Sequence, residues 1–159
     1  GESFTINISW SYAITDRSMF LLSREGYEHF PEDKNNIFLI AHWFPRLAVY
    51  NDVYGWQHKQ FIGQGEFTLN FGNYKVAITV PNDHVVGASG ELQNASQLMT
   101  ASQLKRWEQA KTAVRPVVIV TQAEAEKAEK NKPTGKKTWV YKAGKKKPNK
   151  QTKSGTTPR

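Results

Sequence analysis

GEFTLNFGNYKVAITV, residues 65–80, is the stretch whose reading decides the fold. Phe67, Leu69 and Phe71 alternate with polar neighbours, and Tyr74, Val76, Ile78 and Val80 repeat the alternation after Gly72 and Asn73. A period of two marks a half-buried strand. A Gly-Asn pair between two such runs is the chemistry of a tight hairpin turn. The stretch therefore predicts a hairpin of 65–71 with 74–80, ended by Pro81, Asn82 and Asp83.

Working outward, Phe4, Ile6, Ile8 and Trp10 alternate with Thr5, Asn7 and Ser9, which predicts another half-buried strand. Residues 11–35 show little periodicity and read as a long loop with room for one short element. Ile37 to Ala41 is an apolar run of strand length. Val85 to Gly90 reads as a short strand weakened by glycine. Between Ser96 and Ala113, Leu98, Ala101, Leu104, Trp107 and Ala110 recur at three-residue spacing, which suits an amphipathic helix. Thr100 with Gln103 and Thr121 with Glu124 match the capping box, the second opening a short helix over 123–130. Val114–Val120, with Pro116 near its start, and Thr138–Tyr141 predict two further strands. The fold class is thus mainly β: a sandwich or saddle-like sheet domain over 1–142 with one or two inserted helices. A basic tail over 143–159 has nothing to bury and is expected to be disordered.

The 159 residues carry a net charge of +8. Seven of the 22 bases lie in residues 142–159, and the other 15 face 14 acids, so the body sits near +1. A nucleic-acid-binding fold carries its excess charge on the folded surface, so no specific nucleic-acid partner is expected. The tail reads as a solvated end or, alternatively, as a grip for nucleic acid or an anionic membrane. There is no cysteine, which excludes disulfides and thiolate metal sites but fits cytosol, periplasm or secretion. No apolar run approaches the length of a membrane span. The opening Gly1-Glu2-Ser3 has no signal-peptide pattern and suggests a fragment or a processed form.

Of the four histidines, His29, His58 and His84 sit among loop-type residues and read as solvent-facing. Asp83 beside His84 is not expected to pair, because adjacent strand residues point to opposite faces. Ser89 lacks the glycine two residues ahead that a nucleophile elbow requires, and Gly63-Gln64-Gly65 precedes a strand rather than a phosphate-binding helix. Trp43, Phe44, Tyr50, Tyr54, Trp56 and Phe61 read as core-packing aromatics, with a glycan- or base-stacking platform as the alternative.

An ordered set of blocks resembles a known family: Trp43-Phe44-Pro45-Arg46, Ala48-Val49-Tyr50, Gly55-Trp56, Gln60-Phe61, Gly65-Glu66-Phe67, Tyr74 to Pro81, and Val86 to Gly90. Over roughly residues 1–142 the chain resembles the N-terminal domain of bacterial zinc metalloaminopeptidases of the aminopeptidase N type. The resemblance implies a β-rich saddle preceding a thermolysin-like catalytic domain. That catalytic domain carries the His-Glu-x-x-His zinc motif, a downstream Glu ligand and a Gly-x-Met-Glu-Asn exopeptidase motif, none of which is in this chain. It therefore implies a non-catalytic piece of a protease, inactive alone and holding no cofactor, with zinc in the parent's catalytic domain. The partners implied are a peptide substrate and that catalytic domain; the compartment is left open, with a lean to a bacterial cell envelope or secretion.

In the family, a Gln or Glu just ahead of the aromatic–Pro run helps bind the substrate's free amine; that place falls on His42, a departure from the usual residue. A neutral imidazole can accept one hydrogen bond from an ammonium group. Relatives also continue past the last strand with Glu-Asn and an acidic, aromatic stretch, where this chain has Gly144-Lys145-Lys146-Lys147; a shifted reading frame over 144–159 would account for that. The first strand, deprived of a neighbour, is expected to leave an exposed edge open to self-association. The alternative overall is a stand-alone β-sandwich module binding glycan or an anionic polymer.

Overall fold

The computed structural model describes residues 2–19, 25–32, 34–60, 68–131 and 133–144. The chain divides into two compact units, Gly1–Leu69 and Asn70–Arg159. The described residues form three small antiparallel sheets and few helices, a mainly β arrangement.

In the first unit, Phe4 to Trp10 forms no strand. The alternation is present, yet nothing covers its apolar side: Phe4 is 77 % and Trp10 48 % exposed. A strand needs a partner for its backbone and a surface for its face, and this segment has neither among the described residues. After a 3-10 turn at Arg17–Met19, β1 spans Gly26–Phe30 and β2 spans Asn35–Leu39. They pair antiparallel, with Tyr27 opposite Phe38 and Glu28 opposite Ile37. β1 is a short element within the stretch 11–35, which the sequence reads as a long loop with room for one. The Tyr27 amide donates to the Thr15 carbonyl at 3.0 Å, which ties the preceding segment to β1. Two short strands follow, β3 at Tyr50–Asn51 and β4 at Gly55–Trp56, paired with each other.

The second unit holds the core. β5 spans Tyr74–Pro81, β6 Glu91–Leu92, α1 Ala95–Leu98, α2 Ala101–Ala110, α3 Gln122–Glu129 and β7 Lys136–Ala143. The sheet order is β5-β7-β6, with β7 central. The predicted hairpin is not formed among the described residues. β5 is a strand as read, but its partner is β7, from Tyr74↔Ala143 to Pro81↔Lys136, while residues 68–73 carry no strand and 65–67 lie outside the described residues. The pairing with β7 sets Ile78 against Trp139 and Val76 against Tyr141, and the Thr79 and Thr138 hydroxyls bond at 2.8 Å.

Trp139, at 2 % exposure, forms the buried cluster with Leu92 and Tyr141, and Val80, Val86, Ala95, Leu98, Met99 and Trp107 pack against it. Helical residues thus cover this sheet face. The Tyr141 hydroxyl donates to the Val86 carbonyl at 2.6 Å. Lys137 sits 5.1 Å above the Trp139 ring, and burial lowers its ammonium pKa.

Val85–Gly90 is not a strand. Gly90 turns the chain into β6 with φ +102, and a Cβ there would stand 2.6 Å from the Lys142 carbonyl oxygen, so only glycine fits. β6 is two residues long, and Asn94 continues its pairing with a side chain. Its amide donates to the Thr138 carbonyl at 2.9 Å, and its oxygen accepts from the Val140 amide at 3.1 Å. Asn94 is also the N-cap of α1 and makes no capping bond with its side chain.

The long helix predicted over 96–113 is broken at Met99 and Thr100, both extended. Both capping boxes form. Thr100 accepts from the Gln103 amide and receives its side chain in return, and Thr121 does the same with Glu124. Val114–Val120 is not a strand. Pro116 lacks a donor for a ladder, and the segment is tied to α2 instead: Arg106 Nε donates to the Ile119 carbonyl at 2.8 Å. The same guanidinium grips both Glu124 oxygens at 2.7 and 2.5 Å. That contact first, then the Thr121 amide, lowers the Glu124 carboxyl to about 2.

Candidate functional site

The corner after β2 holds His42, the residue that sequence reasoning selects. Its backbone has φ +48, in the left-handed region. For a residue with a Cβ this costs roughly 1–2 kcal/mol, so the corner is held by its neighbours. Trp10 Nε1 donates to the Trp43 carbonyl at 2.9 Å. Trp43 and Phe44 rings lie 4.6 Å apart at 56°. The Arg46 guanidinium stands 5.7 Å from the Phe44 ring centre, a cation–π contact that anchors the turn. Pro45 keeps Phe44 out of the helical region. The result is an exposed imidazole on a braced turn, able to give or take one hydrogen bond at each ring nitrogen.

The aromatics that follow are not core. Tyr50 and Trp56 meet edge-on across β3 and β4 at 5.3 Å, and the Asn51 side chain accepts from the Val53 and Tyr54 amides at 3.1 and 2.7 Å. Trp43, Tyr50 and Trp56 are exposed, and Tyr54 is 74 % exposed. The core-packing reading fails for these four: the two-residue strands offer no face to bury Tyr50, Tyr54 and Trp56, and Trp43 stands exposed at the corner before them. Phe44 is half-buried, and Phe61 lies outside the described residues, as do Gly63 and Gly65.

The remaining histidines are separate. His29 lies on β1 rather than in a loop, with Nδ1 2.7 Å from Asn36 Oδ1. His58 Nδ1 lies 2.9 Å from the Trp56 carbonyl. His84 does pair with Asp83, Nδ1 to Oδ1 at 2.7 Å, against expectation. The His84 amide donates to the Pro81 carbonyl at 3.1 Å, so the two residues lie in a turn, where neighbours share a side. The His84 hydrogen bond holds the Asp83 carboxyl below its usual range. Among the described residues no group of three or more His, Cys, Asp or Glu is placed to hold a metal.

Sequence reasoning missed one feature of the second unit. An open cleft of about 540 Å³ at the end of the sheet is lined by residues 73–75, Glu91 and residues 142–144. Lys75 and Glu91 stand opposite Lys142 on its two sides, from β5 and β6. Only the long-range register brings these three charges into one row, and no local signal announces it. The row presents two ammonium groups and one carboxylate on an open surface, without a nucleophile–base pair beside it among the described residues.

Comparison with family models, with curated proteins and with solved structures returns no match.

Proposed function

We propose that this chain is the non-catalytic, saddle- or sandwich-like N-terminal domain of a zinc aminopeptidase of the aminopeptidase N type. Its role is to wall the active-site cleft and help position the free N-terminus of a peptide. The observation that carries this reading is the ordered set of blocks from Trp43 to Gly90. The geometry adds support at one point. His42 is exposed, and its strained backbone immediately precedes Trp43-Phe44-Pro45, and such strain is often kept where a side chain must be aimed. In this reading zinc and the general base belong to the catalytic domain, and His42 accepts a hydrogen bond from the substrate ammonium.

Mixing this chain with the isolated catalytic domain of such an enzyme tests it. The expected outcome is restored aminopeptidase activity, with His42→Ala raising KM more than it lowers kcat. Saturating mixtures that stay at the activity of the catalytic domain alone would end the proposal.

A second reading, a stand-alone glycan-binding module, is favoured by the exposure of Tyr50, Tyr54 and Trp56 on one hairpin. Retardation in polysaccharide-loaded gels, abolished by Tyr54→Ala, is its expected signature. Equal mobility with and without polysaccharide discards it.

A further inference from the structure

The first unit contains a strand edge on which nothing sits among the described residues. β2 pairs with β1 alone. Apart from the Asn36 N–H, which donates to the Asn35 side-chain oxygen at 2.9 Å, its far side therefore presents N–H and C=O groups that take no partner among the described residues. All five residues of β2 are exposed. Natural sheets guard such edges with a lysine, a proline or a bulge. β2 has no Lys or Pro, and its register with β1 runs unbroken from Gly26↔Leu39 to Phe30↔Asn35. Asn36 to Ala41 is uncharged, without Pro or Gly, and mostly branched or aromatic. Segments of that composition pair with copies of themselves. The unguarded edge is thus β2, not the Phe4–Trp10 segment, which forms no strand.

We propose that β2 is a homotypic docking edge through which two copies of this chain pair antiparallel about a two-fold axis. The sheet then runs β1-β2-β2-β1. A lone two-stranded sheet is marginal in water, and four strands cross that threshold. Charge favours a second copy as the occupant. With Ile37 opposite Ile37 on the axis, Lys34 faces Ile40, and no like charges meet. A charged foreign strand finds no countercharge on β2.

Ile37 is the position for the test, because within one chain it faces Glu28. Ile37→Lys adds an opposite-charge pair inside the hairpin and sets like charges against each other across the axis. Sedimentation velocity of the full chain is expected to show concentration-dependent dimers. Ile37→Lys is expected to raise the dissociation constant about ten-fold or more with an unchanged far-UV spectrum. Mixing the Ile37→Lys and Ile37→Glu chains is expected to restore dimers as a mixed pair. A wild-type chain that stays monomeric overturns the proposal. So does an Ile37→Lys chain that associates as tightly as the parent, or association removed by Ile8→Lys but not by Ile37→Lys.

Discussion

The two units carry similar alternating apolar patterns and treat them differently. Val76, Ile78 and Val80 of the second unit lie against a central strand, and Trp139 and Tyr141 are sealed by Leu92 and by helical residues. Phe4, Ile6, Ile8 and Trp10 of the first unit alternate as cleanly and remain exposed. Every buried hydrophobic residue among those described belongs to the second unit. Alternation specifies which side of a strand is apolar. Whether that side is buried depends on a second surface elsewhere in the chain, and the β5–β7 pairing supplies the frame for one.

The contrast can be broken at its strongest point first. Trp139→Ala is expected to cost about 3–5 kcal/mol, the range for emptying a large aromatic site in a core. Urea unfolding followed by near-UV circular dichroism reads it; a loss below 1 kcal/mol would deny the second unit its core. The Trp139 indole N–H is buried without a hydrogen-bond partner among the described residues. Trp139→Phe, which removes that donor and keeps a ring, is expected to cost distinctly less.

A smaller effect concerns what holds α2 to α3. Glu124 has a folded value of about 2 against an ordinary 4.5, so its contribution is complete above about 4.5 and is lost as pH falls through about 2. Glu124→Gln is expected to lower the thermal midpoint at neutral pH and to flatten its decline over that acid window. A variant whose melting curve follows the parent at every pH would show that the Arg106 clamp is idle.

The smallest effect is expected in the first unit. Phe4→Ser and Ile6→Ser should each change the stability of the isolated chain by no more than about 0.5 kcal/mol. A loss of about 2 kcal/mol from either would reveal a core that the exposed side chains deny.

What the sequence made legible was local. The capping boxes at Thr100 and Thr121 involve residues three apart, and both form as read. β5 and β7 were visible as strands, since Tyr74–Val80 and Thr138–Tyr141 carry the right residues. Their pairing was not, because Gly72 and Asn73 advertise a neighbour next door and nothing in either strand names a partner more than fifty residues away. Asp83 and His84 pair for a related reason: Pro81 to His84 forms a turn, where the rule that strand neighbours point apart does not hold. At the candidate site, the identity of His42 was legible. Its left-handed backbone was not, since Ala41 and Trp43 give no sign of it, and the brace from Trp10 is set by folding.

Asn94 shows how few atoms decide where one kind of structure yields to another. Its carboxamide copies a peptide group, offering one donor and one acceptor to β7, so the pairing that the Gln93 amide carries to the Val140 carbonyl runs on to Asn94, two residues past β6. The oxygen that could cap the following helix accepts from Val140 instead, and α1 has no side-chain cap. Aspartate would have no N–H for Thr138 but could serve the helix; leucine could serve neither. Sheet and helix in this unit thus meet at one carboxamide, whose nitrogen and oxygen both serve the sheet.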